Sequence, residues 1–127
     1  MQVLLDTHAM IWWFESAAGL SNKASSIIAS KDNFILISAA VGWELAIKTS
    51  LGKFNTPSLV QDLRRLIERE GFGELAISLD QAVRAGLLPL HHRDPFDRLL
   101  VAQAQALSAP ILSADRALDA YDVRRIW

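Results

Sequence analysis

Four acidic residues occupy positions in the sequence where a charge is costly. Asp6 and Asp115 each follow a short apolar run, Glu44 lies inside an apolar helical segment, and Asp97 shares a helical face with apolar neighbours. Carboxylates that converge raise one another's pKa values unless cations hold them. Clustered carboxylate oxygens suit Mg²⁺ or Mn²⁺, and such an ion can activate water against a phosphodiester. The four acids therefore indicate metal-dependent phosphodiester hydrolysis.

Each of these acids also has a purely structural explanation. Asp6 and Asp115 would each serve as the N-cap of the helix that follows, because a carboxylate accepts hydrogen bonds from the free amides at a helix start. Glu44 would pair with Lys48, one helical turn further along. Taken one at a time, these explanations suffice. The joint placement of the acids, at strand ends and near the starts of helices, favours a common site instead.

A further helix is predicted to begin at Pro95, with two acids at its start. Asp94 is expected as its N-cap and Pro95 as its first residue, which leaves Asp97 at the third helical position. Asp97 would complete a variant of the capping box there, so capping alone could account for both acids. Asp97 also shares a helical face with Leu100 and Val101. Because that face is apolar, we expect Asp94 to cap the helix and Asp97 to serve a functional site.

The elements that would position these acids follow an alternating pattern. Short apolar runs alternate with longer helical segments, which is typical of an α/β fold with a parallel sheet covered by helices on both faces. In such folds ligands bind at the carboxyl ends of the strands. Strands are predicted at 3–5, 34–37, 75–77, 110–113 and 123–126. Helices are predicted at 9–14, after Ser21, from Ser38 to about Leu51, from Pro57, from Ser78 to about Gly86, and from Pro95 to about Leu107.

Several other classes of protein are excluded by what the sequence lacks. It contains no glycine-rich dinucleotide fingerprint, no P-loop and no nucleophile elbow. His8 stands where a phosphatase of the D-x-D type would carry its second acid. The absence of cysteine excludes disulfides, thiolate zinc sites and thiol nucleophiles. The three histidines, His8, His91 and His92, have a spacing that does not indicate a zinc site.

Length and charge set further limits. The 127 residues suit one domain spanning 1–127. With 14 acids against 13 bases, the chain does not bind nucleic acid through bulk positive charge. If four acids are committed to a metal, however, the rest of the chain is modestly basic. No apolar run approaches the roughly 20 residues that span a bilayer, and no signal peptide is evident, so we expect a cytoplasmic protein without a membrane contact.

Four segments follow one another in the order of a known family. They are LLDTH from Leu4, the segment from Ser38 through WELAIK to Lys48, RDPFDRLLVAQA from Arg93, and LSAD from Leu112. In this order they resemble the PIN-domain proteins, most closely the VapC-type toxins of bacterial and archaeal toxin–antitoxin pairs. The resemblance runs from residue 3 to the end of the chain, and its most specific part is the DPFDRLL segment.

The resemblance implies a three-layer α/β/α sandwich with a short-stranded, mostly parallel central sheet, and a ribonuclease that depends on Mg²⁺ or Mn²⁺. It also implies a homodimer and inhibition by a small antitoxin encoded nearby. The acids that match the family's metal-binding quartet are Asp6, Glu44, Asp97 and Asp115. Residues expected to support them are Asp94, Ser113 and Thr7. Cations flanking the motifs, which are weaker candidates for contact with the RNA phosphates, are Lys48, Arg93 and Arg98.

Two other functions remain open from the sequence. One is a regulatory or binding module that keeps the fold and uses the acids only as caps. The other is a metal-dependent phosphohydrolase acting on small phosphate esters. RNA cleavage that stops on chelation of the metal separates the first hypothesis from both.

Overall fold

The sheet is built around a strand that is apolar on both faces. The structure, a computed structural model, describes residues 1–127. Val3, Leu4 and Leu5 are completely buried, as a strand in the middle of a covered sheet must be. The five strands are β1 (Gln2–Leu5), β2 (Phe34–Ser38), β3 (Gly73–Leu75), β4 (Ile111–Leu112) and β5 (Arg125–Ile126).

The strand order creates a topological switch point beside β1. The order across the sheet is β3-β2-β1-β4-β5, and every pairing is parallel. The chain passes from β1 to β2 and β3 on one side, then crosses back to β4 and β5 on the other. Right-handed crossovers then place the connecting helices on opposite faces of the sheet. The predicted α/β fold with a parallel sheet between two helical layers is confirmed.

Five of the six α-helices begin at a side-chain cap, and the remaining one begins at Pro57 without such a hydrogen bond. The predicted caps Ser21, Ser38, Ser78 and Asp94 each accept a hydrogen bond from a backbone amide of the first helical turn. The helices are α1 (Thr7–Phe14), α2 (Asn22–Ala29), α3 (Ala39–Ser50), α4 (Pro57–Glu70), α5 (Leu79–Leu87) and α6 (Pro95–Leu107), with a 3-10 helix at Arg116–Ala120.

The third strand lies earlier than the predicted 75–77. It occupies Gly73–Leu75, where Gly73 pairs with Leu36 of β2. A Cβ at Gly73 would stand 2.7 Å from Cζ of Phe34 and 2.9 Å from a methyl of Leu36. Strand β3 therefore starts at a residue with no side chain, because the side chains of Phe34 and Leu36 occupy the space that a Cβ would need. Local β propensity gives no sign of this, since glycine is disfavoured in strands.

One apolar cluster of 22 buried residues joins both helical layers to the sheet. It includes the whole of β1 after its first residue, Ile35, Leu36 and Ile37 of β2, and both residues of β4. None of the helices combines the length and the apolar character needed to cross a membrane. At the carboxyl ends of the strands the buried side chains become polar, and the candidate site lies there.

Candidate active site

Asp6 stands directly at the switch point, at the end of β1. Its backbone amide donates to the carbonyl of Leu112 in β4 at 3.1 Å, so the ends of both strands meet here. Its Oδ1 accepts from the amide of Ala9 at 2.8 Å, which confirms the capping interaction. Burial raises the pKa of Asp6, although the Ser113 hydroxyl and the Ala9 amide work against this. Capping therefore uses only one of the two carboxylate oxygens, Oδ1.

Glu44 is buried in α3 and is held by two partners. Lys48 donates to its Oε2, which confirms the expected pair one helical turn apart. Thr7, the residue after Asp6, donates to its Oε1. The Thr7 contact ties α3 to the end of β1, and therefore brings Glu44 to the same edge of the sheet as Asp6.

Lys48 carries its charge beside the acids. Burial lowers its pKa, but the hydrogen bond with Glu44 and the charges of Glu44, Asp94 and Asp97 more than reverse this, so the net pKa is raised. One ammonium beside these three carboxylates balances only part of their charge. The site therefore has fewer cations than acids.

Asp97 is the acid most strongly perturbed by its surroundings. Its pKa is raised to about 7, first by burial and then by the charges of Asp94, Glu44 and Asp6, against the opposing effect of His92. Asp94 itself caps α6, because its Oδ1 accepts from the amides of Phe96 and Asp97 at 2.8 and 3.2 Å. The predicted division between a capping Asp94 and an inward-facing Asp97 fits this arrangement.

Asp115 approaches the site from the turn after β4. Its Oδ1 accepts from the amide of Ala117 at 3.0 Å and caps the 3-10 helix. Its own amide donates to Oγ of Ser113 at 3.0 Å. Burial raises its pKa, but the hydrogen bond with His92, the Ala117 amide and nearby positive charges outweigh burial, so the net pKa lies below the ordinary value.

His92 joins the two acids and was missed at the sequence level. Its Nε2 lies 3.1 Å from Oδ2 of Asp97 and 3.0 Å from Oδ2 of Asp115. Its Nδ1 accepts from the amide of Asp94 at 3.1 Å, so in neutral His92 the proton belongs on Nε2, facing the acids. The spacing of the histidines indicated no zinc site, and the one signal for His92 was its place two residues before the Asp94 cap.

The donor set fits a hard divalent cation. One side-chain N or O atom from each of His92, Asp97 and Asp115 lies within 4.8 Å of the other two. Asp6 and Glu44 are outside that tight group but close enough to raise the pKa of Asp97 by their charges. Buried carboxylates in excess of cations match the preference of Mg²⁺ and Mn²⁺ for oxygen ligands. The residues present therefore fit such an ion, and the assignment of individual ligands stays a prediction.

The prediction that Arg98 contacts RNA phosphates is wrong. Its side chain is buried, with 8% of the residue exposed. The guanidinium also donates to the hydroxyl of Tyr121. Its other acceptors are the carbonyls of Ala85, Gly86, Leu88, Pro89 and His92. Arg98 thus caps the free carbonyls at the end of α5 and anchors the segment that carries His92. Arg93, the other arginine of this motif, is exposed and forms no ion pair, so it remains a candidate for phosphate contact.

The profile of the PIN domain family matches residues 3–124. The chain belongs to the PIN domain family. No curated protein sequence matches it at a significant level. The match covers all four predicted acids of this PIN domain as well as His92.

Solved structures share the fold of this PIN domain over its full length. VapBC2 from Rickettsia felis bound to a promoter DNA fragment superposes with a TM-score of 0.75 at 19% identity, covering 100% of this chain and 99% of that chain. FitAcB from Neisseria gonorrhoeae gives 0.68 at 17% identity, covering 98% and 96%. VapC20 from Mycobacterium tuberculosis, a sarcin-ricin loop cleaving toxin, gives 0.65 at 16% identity, covering 96% of this chain and 98% of that chain. At these identities the likeness establishes the fold.

Proposed function

We propose that this PIN domain is a metal-dependent endoribonuclease and the toxin of a toxin–antitoxin pair. The observation that carries the proposal is the convergence of acids around the buried carboxyl of Asp97, whose pKa is raised to about 7 first by burial and then by the charges of Asp94, Glu44 and Asp6. A group of acids that serves only as helix caps has no reason to converge. A group that holds a divalent cation must converge.

The residues proposed to hold Mg²⁺ or Mn²⁺ are Asp6, Glu44, Asp97 and Asp115. When bound, such an ion polarises a phosphoryl oxygen and activates water for in-line hydrolysis. The chain's own groups orient these carboxylates. Thr7 and Lys48 fix the two oxygens of Glu44. His92 keeps one oxygen of Asp97 and one of Asp115 close together.

Phosphate contact is proposed for the two accessible cations of the motifs. Lys48 is about a quarter exposed and lies beside the acids, and Arg93 is exposed just before the Asp94 cap. Both would meet the RNA backbone, whose affinity for proteins comes largely from such contacts. No covalent intermediate is needed, because water is the proposed nucleophile.

The decisive experiment separates catalysis from capping. Asp6→Asn keeps a side-chain oxygen for the Ala9 amide, since asparagine caps a helix about as well as aspartate, but removes the charge. We expect the purified chain to cleave RNA with Mg²⁺ or Mn²⁺ and to stop when a chelator is added. Asp6→Asn and Asp97→Asn should each reduce cleavage at least about 100-fold without unfolding the protein. Asp32→Asn, an exposed acid before β2, is the matched control and should cleave normally.

Two results would contradict the proposal. Wild-type protein that leaves RNA intact with either metal, while the variants lose stability, favours the capping role alone. Hydrolysis of small phosphate esters with RNA left intact favours a phosphohydrolase instead.

The toxin role is supported by the solved structures of similar fold that are toxin–antitoxin complexes. The solved structures include VapBC2 and a toxin–antitoxin complex from Klebsiella pneumoniae. We propose that this chain forms a homodimer and is inhibited by a small antitoxin encoded beside it. Expression of the chain alone should arrest growth, Asp6→Asn should relieve the arrest, and co-expression of the neighbouring short gene should relieve it too. Normal growth with active wild-type enzyme present would exclude the toxin role.

A further inference from the structure

Two aromatic side chains stand next to the acids on different helices. Trp43 precedes Glu44 in α3, and Phe96 precedes Asp97 in α6. Their ring centroids lie 5.1 Å apart with the planes at 80°, a T-shaped contact. Trp43 nevertheless keeps 56% of its surface exposed. Phe96 therefore braces the indole from one side and leaves much of it open to solvent.

A cation lies alongside the same pair. Nζ of Lys48 is 6.0 Å from the ring centroid of Phe96 and also pairs with Glu44. Phe96 therefore contacts the exposed indole of Trp43 and also lies near the ammonium of Lys48. These contacts join a flat apolar surface to a positive charge that pairs with Glu44, one of the proposed metal-binding acids.

We propose that Trp43 and Phe96, the aromatic pair, form a stacking platform for one unpaired base of the RNA. The inference rests on the proposed ribonuclease function. A nucleotide whose base stacks on Trp43 carries its phosphate on the side of Lys48 and the acids. Unpaired bases stack on aromatic side chains in proteins that recognise single-stranded RNA. Neither a paired base nor a phosphate alone would use the exposed indole.

The matched control is an aromatic residue at the other end of the same sheet. Phe34 begins β2 and is 48% exposed, whereas the acids lie beyond the carboxyl ends of the strands. Its replacement removes an exposed ring of similar size at a distance from the site. Phe34→Ala therefore tests whether losing any exposed aromatic side chain weakens RNA binding.

The experiment removes one base at a time from a single-stranded RNA. Cleavage of a series of oligonucleotides, each with an abasic nucleotide at a different position, is measured for wild type, Trp43→Ala, Trp43→Phe and Phe34→Ala. Trp43→Ala should raise KM about 5- to 50-fold with little change in kcat, since stacking on an aromatic side chain contributes to binding. Trp43→Phe should lose less, and Phe34→Ala should match wild type. One position should be sensitive to base removal in wild type and insensitive in Trp43→Ala.

A binding assay keeps this proposal separate from the ribonuclease proposal. Affinity for the same labelled oligonucleotides is measured in Asp97→Asn protein, with and without Trp43→Ala. If wild type cleaves no RNA but Trp43 still contributes to binding at one base, the ribonuclease proposal fails and the platform stands. Equal affinity and equal base profiles with and without Trp43 overturn the platform. Unchanged RNA kinetics together with escape from the antitoxin overturn it as well, and would assign the aromatic pair to a protein partner.

Discussion

Nε2 of His92 lies 3.0 Å from Oδ2 of Asp115, which joins the segment before α6 to the turn after β4. The other ring nitrogen, Nδ1, accepts a hydrogen bond from the backbone amide of Asp94. His92 is therefore set up to donate from Nε2, and an imidazole that binds a metal through Nε2 would have to give up this proton. Its place among the acids fits a hydrogen-bond donor better than a ligand.

Replacing His92 distinguishes these two roles. His92→Asn removes the donor to Asp97 and Asp115, while His92→Gln keeps an amide donor at a similar reach. In chelator, His92→Asn should lower the free energy of unfolding by about 1–2 kcal/mol, and His92→Gln by less. Mg²⁺ or Mn²⁺ should stabilise His92→Asn at least as much as wild type, measured by thermal unfolding. A metal that stabilises wild type but not His92→Asn would make the histidine a ligand.

The raised pKa of Asp97 leads us to expect that the free energy of unfolding depends on pH when no metal is present. Its pKa is 3.8 when unfolded and about 7 when folded. Between these two pH values Asp97 holds a proton in the folded state that it has lost in the unfolded state. Its contribution to the free energy of unfolding is therefore greatest below pH 4 and falls as the pH rises towards 7. The loss is on the order of 4 kcal/mol at most. Denaturant unfolding in chelator should show this fall, and Asp97→Asn should reduce it. An identical fall in Asp97→Asn would show that the slope belongs to other groups.

Arg98 and Arg93 should have opposite phenotypes. Arg98→Lys leaves several carbonyls at the end of α5 without a donor, because a single ammonium cannot reach all the acceptors that the planar guanidinium contacts. We expect a loss of about 2–4 kcal/mol in unfolding free energy. Arg93→Ala should change stability by less than about 0.5 kcal/mol but weaken RNA binding and its dependence on salt. A stable Arg98→Lys protein would exclude the capping role.

Gln103 holds α6 against the edge of the sheet. It is completely buried, accepts from Oγ of Ser38 at 2.5 Å, and donates to Ala76 and Gln81 at 3.1 Å each. Gln103→Leu keeps the size but leaves these partners unsatisfied, so we expect a loss of about 2–3 kcal/mol in unfolding free energy. Gln105→Leu on the same helix is the control, since its one bond is long and exposed. Equal stability of the two variants would show that the buried network contributes little.

Local chemistry made a large part of the structure predictable. The caps at Ser38 and Asp94 were found from sequence because a cap depends only on residues within the next turn. Strand β1 was found because an unbroken apolar run is typical of a strand covered on both faces. Strand β3 was misplaced because its first residue, Gly73, is selected by the close approach of Phe34 from another strand. Short-range patterns contain no trace of such contacts.

The sequence by itself determined the α/β fold with a parallel sheet, the edge at which a site had to lie, and the acids that were candidates for it. These follow from periodicity, from cap chemistry and from the cost of placing a charge at the end of a buried strand. The tertiary structure decided which acids meet and what holds them. It placed His92 between Asp97 and Asp115, and it turned Arg98 away from solvent to the carbonyls of α5. Both contacts depend on an irregular segment folding back on a distant part of the chain, and only the packed molecule specifies that path.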